Sequence, residues 1–217
     1  MEDALHAGGR QDGLRLIETV LWDGAAAPRW PLHLARLARS AARLGWPAPG
    51  PVAPPAPPHP ARLRLTLDGR GRVEWQVLAL PPAAPVWRVA LAGTMLSSSD
   101  PWLSVKSTRR PLHEAARAAI APGLDEVLFV NERGEVCEGT ITSVFFDRGA
   151  GMRTPPLACG LLPGVLREEL ACPEEILTLG DLPHVRLWVG NALRGLIPAR
   201  LVAQGAGLRL DPPESGD

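Results

Sequence analysis

Tyrosine is absent from this 217-residue chain, and lysine occurs once, as Lys106. Any aromatic hydroxyl that a site requires must therefore come from another donor. The three cysteines, Cys137, Cys159 and Cys172, fit neither a disulfide framework nor a paired metal site, which predicts reduced thiols. Lysine plus arginine equals aspartate plus glutamate at 23 each, so no net field draws the chain to nucleic acid or to an acidic membrane surface. No apolar run approaches the roughly 20 residues that cross a bilayer. The first residues carry Glu2, Asp3 and Asp12, unlike a signal peptide. These absences together predict a cytoplasmic protein with no nucleic-acid, membrane or metal partner.

Hydrophobic residues make up 46% of the chain, enough for a sizeable core. The length suits two half-size lobes or one large α/β unit. Every positive side chain other than Lys106 is an arginine, and a guanidinium cannot do what an amine can: lose its proton when buried and attack a carbonyl. Lys106 also sits between an apolar Leu-Ser-Val segment and a helix start, where Ser107 or Thr108 can cap and Pro111 suits the first turn. That setting suits a nucleophilic lysine. A chance surface lysine in an arginine-biased chain is the alternative.

Taken in order, residues 1–12 read as a frayed start, and Leu14–Trp22 alternates as a strand ending at the turn Asp23-Gly24. Leu32–Trp46 has helical period, with Leu34, Leu37, Ala41 and Leu44 on one face and Arg36, Arg39 and Arg43 on another. Residues 47–60 hold eight prolines and form an extended loop. Arg62–Leu67 and Arg72–Leu80 flank Asp68-Gly69-Arg70-Gly71 as a hairpin, and Val86–Leu91 is another strand. After an irregular 92–105 come a helix over Leu112–Ile120, a strand over Asp125–Val130, and strands over Glu135–Asp147 bent at Gly139. A helix over Val165–Leu170 follows, then strands over Arg186–Val189, Ile197–Val202 and Leu208–Leu210, and a disordered tail from Asp211.

Three further patterns carry chemistry. Glu138 lies in an otherwise apolar stretch beside Gly139, and a buried carboxylate needs a cationic partner, a protonated pyridine nitrogen or a structural arginine. Leu162-Pro163-Gly164-Val165-Leu166-Arg167 opens a helix on glycine, leaving backbone N–H groups for an anion. Gly190-Asn191-Ala192-Leu193-Arg194-Gly195 is a glycine-bounded turn.

These segments, with Glu18-Thr19, His33-Leu34-Ala35-Arg36-Leu37, Lys106-Ser107-Thr108-Arg109-Arg110 and His113-Glu114-Ala115-Ala116-Arg117, resemble the class IV aminotransferase family over about residues 14–203. The resemblance is strongest to the aminodeoxychorismate lyases of that family. It implies an α+β, two-lobed fold type IV enzyme: an N-terminal α/β sandwich lobe over 1–100 and a C-terminal pseudo-barrel lobe over 101–217 carrying the lysine. It also implies pyridoxal 5′-phosphate as cofactor, a small-molecule substrate and a homodimer.

Carried over by position, Lys106 would be the Schiff-base lysine and proton shuttle. Glu138 would pair with the pyridine nitrogen. Arg36, with the N–H groups of Val165 and Leu166 and with Asn191, would hold the phosphate. His113 stands where the family has a tyrosine near the cofactor's 3′-oxygen, and Arg109 replaces a common asparagine. The expected reaction is cleavage of 4-amino-4-deoxychorismate to 4-aminobenzoate and pyruvate for folate synthesis. An amino-acid transaminase of the branched-chain or D-amino acid type, or a non-catalytic relative, are the alternatives.

Overall fold

The computed structural model describes residues 2–202; the expected strand Leu208–Leu210 and the tail from Asp211 lie outside them. The chain divides into two compact units. One comprises Met1–Ala83, Pro101–Arg110 and Ala192–Arg194, the other Ala84–Asp100, Pro111–Asn191 and Gly195–Asp217. The segment bearing Lys106 thus groups with the first unit, and residues 84–100 with the second, whereas a single break at residue 100 was expected.

In the first unit, β1 (Arg15–Trp22), β2 (Ala61–Asp68) and β3 (Val73–Leu78) form an antiparallel sheet in that order. β2 alternates cleanly, with Leu63, Leu65 and Leu67 fully buried, as a strand with one face on a core must. Asp68 closes the β2–β3 turn: its Oδ1 accepts the N–H groups of Arg70 and Arg72, each at 2.9 Å. Helix α2 (Trp30–Arg43) packs on β1 through Leu37 and Ala41. The proline-rich stretch stays free of helix and strand, and is tied down by Trp22 Nε1 donating to the Pro57 carbonyl at 2.9 Å.

The expected frayed start is instead a helix, α1 (Glu2–Gly9). Tertiary burial explains it: Leu5 is fully buried in a cluster with Leu14, Leu16, Leu44 and Trp102. A helix this short is marginal without such packing.

The second unit is built on strands in the order β6 (Val136–Gly139), β5 (Glu126–Val130), β4 (Trp87–Leu91), β10 (Gly195–Leu201), β9 (Arg186–Asn191), β7 (Ser143–Asp147), β8 (Met152–Arg153). A further β6–β7 pairing closes the first six into a barrel, leaving β8 on its outer edge. β4 runs parallel to both β5 and β10; the other pairs are antiparallel. Trp87, Val89, Leu128, Val144, Phe146 and Val189 belong to its core. β5 and β7 are buried at every residue, which explains their lack of alternation: both faces are covered. α3 (Pro111–Ala118) packs on β5 and α4 (Val165–Leu170) on β9.

Candidate active site

Lys106 follows a 3-10 turn, Pro101–Ser104, whose Trp102 is buried, as is Val105 after it. The lysine's backbone is laid against β1. Its carbonyl accepts Ile17 N–H at 2.9 Å, Leu16 and Ser107 form an antiparallel bridge, and Thr108 N–H reaches the Arg15 carbonyl at 2.8 Å. Thr108 Oγ1 accepts Arg15 N–H at 3.0 Å and Ser107 Oγ accepts Arg109 N–H at 3.2 Å. Both hydroxyls therefore hold the lysine loop, where a helix cap was expected; α3 does open on Pro111. The result is a half-buried amine on a backbone fixed on both sides. Arg109 does not extend freely either: its guanidinium lies over the Trp102 ring, 4.5 Å from the centroid.

Glu18 on β1 and His33 and Arg36 on α2 form a buried cluster in the same unit. Arg36 Nε donates to Glu18 Oε1 at 2.9 Å and Nη2 to Oε2 at 2.5 Å, while His33 Nδ1 lies 2.6 Å from Oε2. Burial alone would push the Glu18 carboxyl up; the Arg36 charge and the hydrogen bonds from His33 and Arg36 overcome it and bring it down to about 2. An ionised acceptor places the imidazole proton on Nδ1. The other nitrogen, Nε2, is buried with no hydrogen-bond partner among the described residues. The arginine stripe thus splits three ways. Arg36 is 5% exposed, Arg39 is open to solvent, and Arg43, expected to be solvated, donates to Ser104 Oγ at 2.7 Å.

In the second unit Glu138, on β6, is 6% exposed. Its Oε2 accepts Leu162 N–H at 3.2 Å and its Oε1 lies 3.0 Å from His113 Nε2. His113 comes from α3, with its ring tilted against Phe129 at 4.8 Å between centroids. Burial, with the Glu138 charge beside it, pushes the Cys137 thiol well above its ordinary range, so that sulfur is inert.

α4 begins at Val165 on an extended Gly164, with no side chain capping it. The first-turn N–H groups of Val165 and Leu166 have no partner within the helix. A Cβ on Gly164 would come within 2.5 Å of Ser143 Oγ, so only glycine lets the chain enter the helix this close to β7. Asn191 donates from Nδ2 to the Ile141 carbonyl at 3.1 Å, joining the end of β9 to the bend between β6 and β7.

That bend has a second clamp which the sequence did not single out. Glu126, fully buried on β5, accepts Thr140 N–H (3.0 Å), Thr140 Oγ1 (2.5 Å), Ile141 N–H (3.1 Å) and Thr142 Oγ1 (3.1 Å). The visible signal was only an acid at the edge of the apolar run Val127-Leu128-Phe129-Val130.

Residue by residue, the chain supplies what a phosphorylated pyridine aldehyde demands. Lys106 is an amine on a fixed backbone. Glu138 is a buried carboxylate whose partners leave acceptor capacity for a ring N–H, since two oxygens offer about four lone-pair sites. The glycine-opened start of α4 presents N–H groups to an anion.

Comparisons with known proteins identify the family and the fold. Residues 15–202 match the model of the family described as amino-transferase class IV. A Schizosaccharomyces pombe protein named "Putative aminodeoxychorismate lyase" is 30% identical over 167 residues, which is 71% of this chain and 72% of that protein. The crystal structure of a "Putative amino-acid aminotransferase" from Mesorhizobium loti is 42% identical, with a TM-score of 0.80, covering 87% of this chain and all (100%) of that one. A Mycobacterium tuberculosis "hypothetical aminotransferase" in its PLP-bound form shares the fold at 22% identity, with a TM-score of 0.73 over 95% of this chain and 86% of that one. With a family model matched over residues 15–202, the chain belongs to the class IV aminotransferase family, enzymes of fold type IV that use pyridoxal 5′-phosphate.

Proposed function

We propose that this enzyme is an aminodeoxychorismate lyase, converting 4-amino-4-deoxychorismate to 4-aminobenzoate and pyruvate. The observation that carries this reading is the 30% identity to the S. pombe protein of that name across 71% of the chain. When bound, the cofactor supplies an aldehyde that takes up the substrate amine and a ring that accepts the electron pair released at the neighbouring carbon.

This chain's residues do the rest. Lys106 Nζ would hold the cofactor's aldehyde and would serve as the base for the proton on the substrate ring carbon bearing the amine. Glu138 would accept the pyridine N–H and favour the protonated ring nitrogen that such chemistry needs. The N–H groups of Val165 and Leu166, and Arg36, would hold the phosphate. Arg36 does so with its Nε/Nη2 edge already on Glu18, which fixes its rotamer before any ligand arrives. Asn191 contributes to the phosphate end by holding Ile141 in place. The substrate ring aromatises as the enolpyruvyl group leaves and takes up a proton to become pyruvate. We read the enzyme as a cytoplasmic homodimer; the unpaired cysteines Cys137, Cys159 and Cys172 fit a reducing compartment.

A second reading, amino-acid transaminase, rests on the 42% identity to the M. loti protein. The two are separated by incubating holoenzyme with 4-amino-4-deoxychorismate and no 2-oxo acid. Catalytic, equimolar release of 4-aminobenzoate and pyruvate supports the lyase. A single turnover that stops until a 2-oxo acid is added establishes the transaminase instead.

A further inference from the structure

We propose that His113 is a positioning residue for Glu138: its Nε2–H orients the carboxylate that serves the cofactor's ring nitrogen. The inference rests on the reading of Glu138 given above and adds a residue to it. Three observations within the second unit carry it. First, Nε2 lies 3.0 Å from Glu138 Oε1, both side chains are buried, and no arginine or lysine among the described residues forms an ion pair with Glu138. A carboxylate that serves a ring N–H is an acceptor, and its contact with Nε2 then places the imidazole proton there. Second, Oε2 is held separately by the Leu162 N–H at 3.2 Å. With one donor on each oxygen the plane of the carboxylate is set, and the remaining lone pairs have fixed directions. Third, the imidazole cannot swing away: Phe129, fully buried on β5, meets its face at 4.8 Å between centroids and 51° between planes.

A mainly structural histidine would only fill space between α3 and β5. A positioning histidine changes the electronics of whatever Glu138 touches, because a carboxylate free to rotate holds a ring N–H less well. In a chain without tyrosine, histidine supplies the donor at this position, and a phenolic O–H placed there could reach the same oxygen.

The test uses holoenzyme and the variants His113→Phe, His113→Tyr, Glu138→Gln and the double variant H113F/E138Q. Visible absorbance of bound cofactor is recorded beside kcat, KM and the thermal melting temperature. H113F is expected to shift the cofactor band and lower kcat about tenfold or more, the loss of one hydrogen bond to a charged group, with KM little changed. H113Y should restore both, and H113F should add nothing in the E138Q background. An unchanged band and kcat in H113F, or a full further shift in the double variant, would overturn the proposal. Bound cofactor with an unaltered band in E138Q alone would instead overturn the reading of Glu138. Should H113F fail to fold, His113→Gln and His113→Met, of similar length with and without an N–H donor, are compared in the same way.

Discussion

Arg36 and Glu18 share two hydrogen bonds, Nε to Oε1 at 2.9 Å and Nη2 to Oε2 at 2.5 Å, and neither side chain is exposed by more than a few per cent. The arginine expected at a phosphate is therefore also half of a buried ion pair. Removing either partner leaves an uncompensated charge, which typically costs about 3–5 kcal/mol. Any loss of cofactor affinity in an Arg36 variant has to be separated from this structural effect.

The separation uses two ligands. Arg36→Ala should weaken pyridoxal 5′-phosphate binding sharply more than binding of pyridoxal, which lacks the phosphate. Arg39→Ala, at an exposed position, should leave both within about 0.5 kcal/mol of wild type. Titration of the apo-proteins reads the ratio of dissociation constants. An equal loss for both ligands in R36A would assign Arg36 to the ion pair alone.

Acid should loosen the same cluster. The folded pKa of Glu18, about 2, lies below the ordinary 4.5. Its contribution is then complete above about pH 4.5 and disappears as pH falls towards 2, amounting to about 3–4 kcal/mol at about 1.4 kcal/mol per pKa unit. Urea unfolding of apo-protein between pH 6 and pH 2.5 should show that slope in wild type and a flatter one in Glu18→Gln.

Lys106 is the one lysine in the chain, which makes its test unusually clean. Borohydride treatment of holoenzyme should fix the cofactor to a single peptide containing Lys106. Lys106→Ala should lose the visible band and turnover; a reducible attachment surviving in that variant would refute the assignment.

Glu138→Gln should keep the cofactor bound but lower kcat by a large factor, because an amide does not hold the ring nitrogen protonated. Losing one charge-assisted contact should cost binding roughly 1.5–3 kcal/mol. Near-normal turnover would return Glu138 to a purely structural role.

Gly164→Ala adds a Cβ 2.5 Å from Ser143 Oγ, although its backbone angles suit alanine well. The variant should bind pyridoxal 5′-phosphate more weakly by about tenfold, a displacement of α4's first turn being worth ~1–2 kcal/mol in such contacts. Adding Ser143→Ala, which removes the obstructing oxygen, should recover part of that affinity in the same titration.

Much of this architecture was legible in the chain because local signals agreed with tertiary ones. The alternation of Leu63, Leu65 and Leu67, the Asp68-Gly69 turn and the Gly164 start of α4 each fall where expected. What was hidden depends on contacts distant in sequence. α1 exists because Leu5 finds a core. Glu18 sits where β1's alternation fails, Ile17 and Glu18 both being buried, and only α2 across from it explains why. The His113–Glu138 pair joins residues 25 apart in sequence, and no periodicity links a helix to a barrel strand. Glu126 reads as an ordinary strand end until the donors of residues 140–142 are seen around it.

The barrel's strand order also carries a timetable. Trp87 pairs with Ala199 and Val89 with Leu201, so β10 is the stave that joins β4 to β9. On the ribosome β4 emerges early and must wait for nearly all of the remaining barrel to be synthesised. Until then two strand edges stand open, each a template for another chain. The first unit's three-stranded sheet, made of neighbours in sequence, has no such delay. Nascent chains are thus expected to carry a finished sheet beside an open barrel, the state in which a chaperone has most to do.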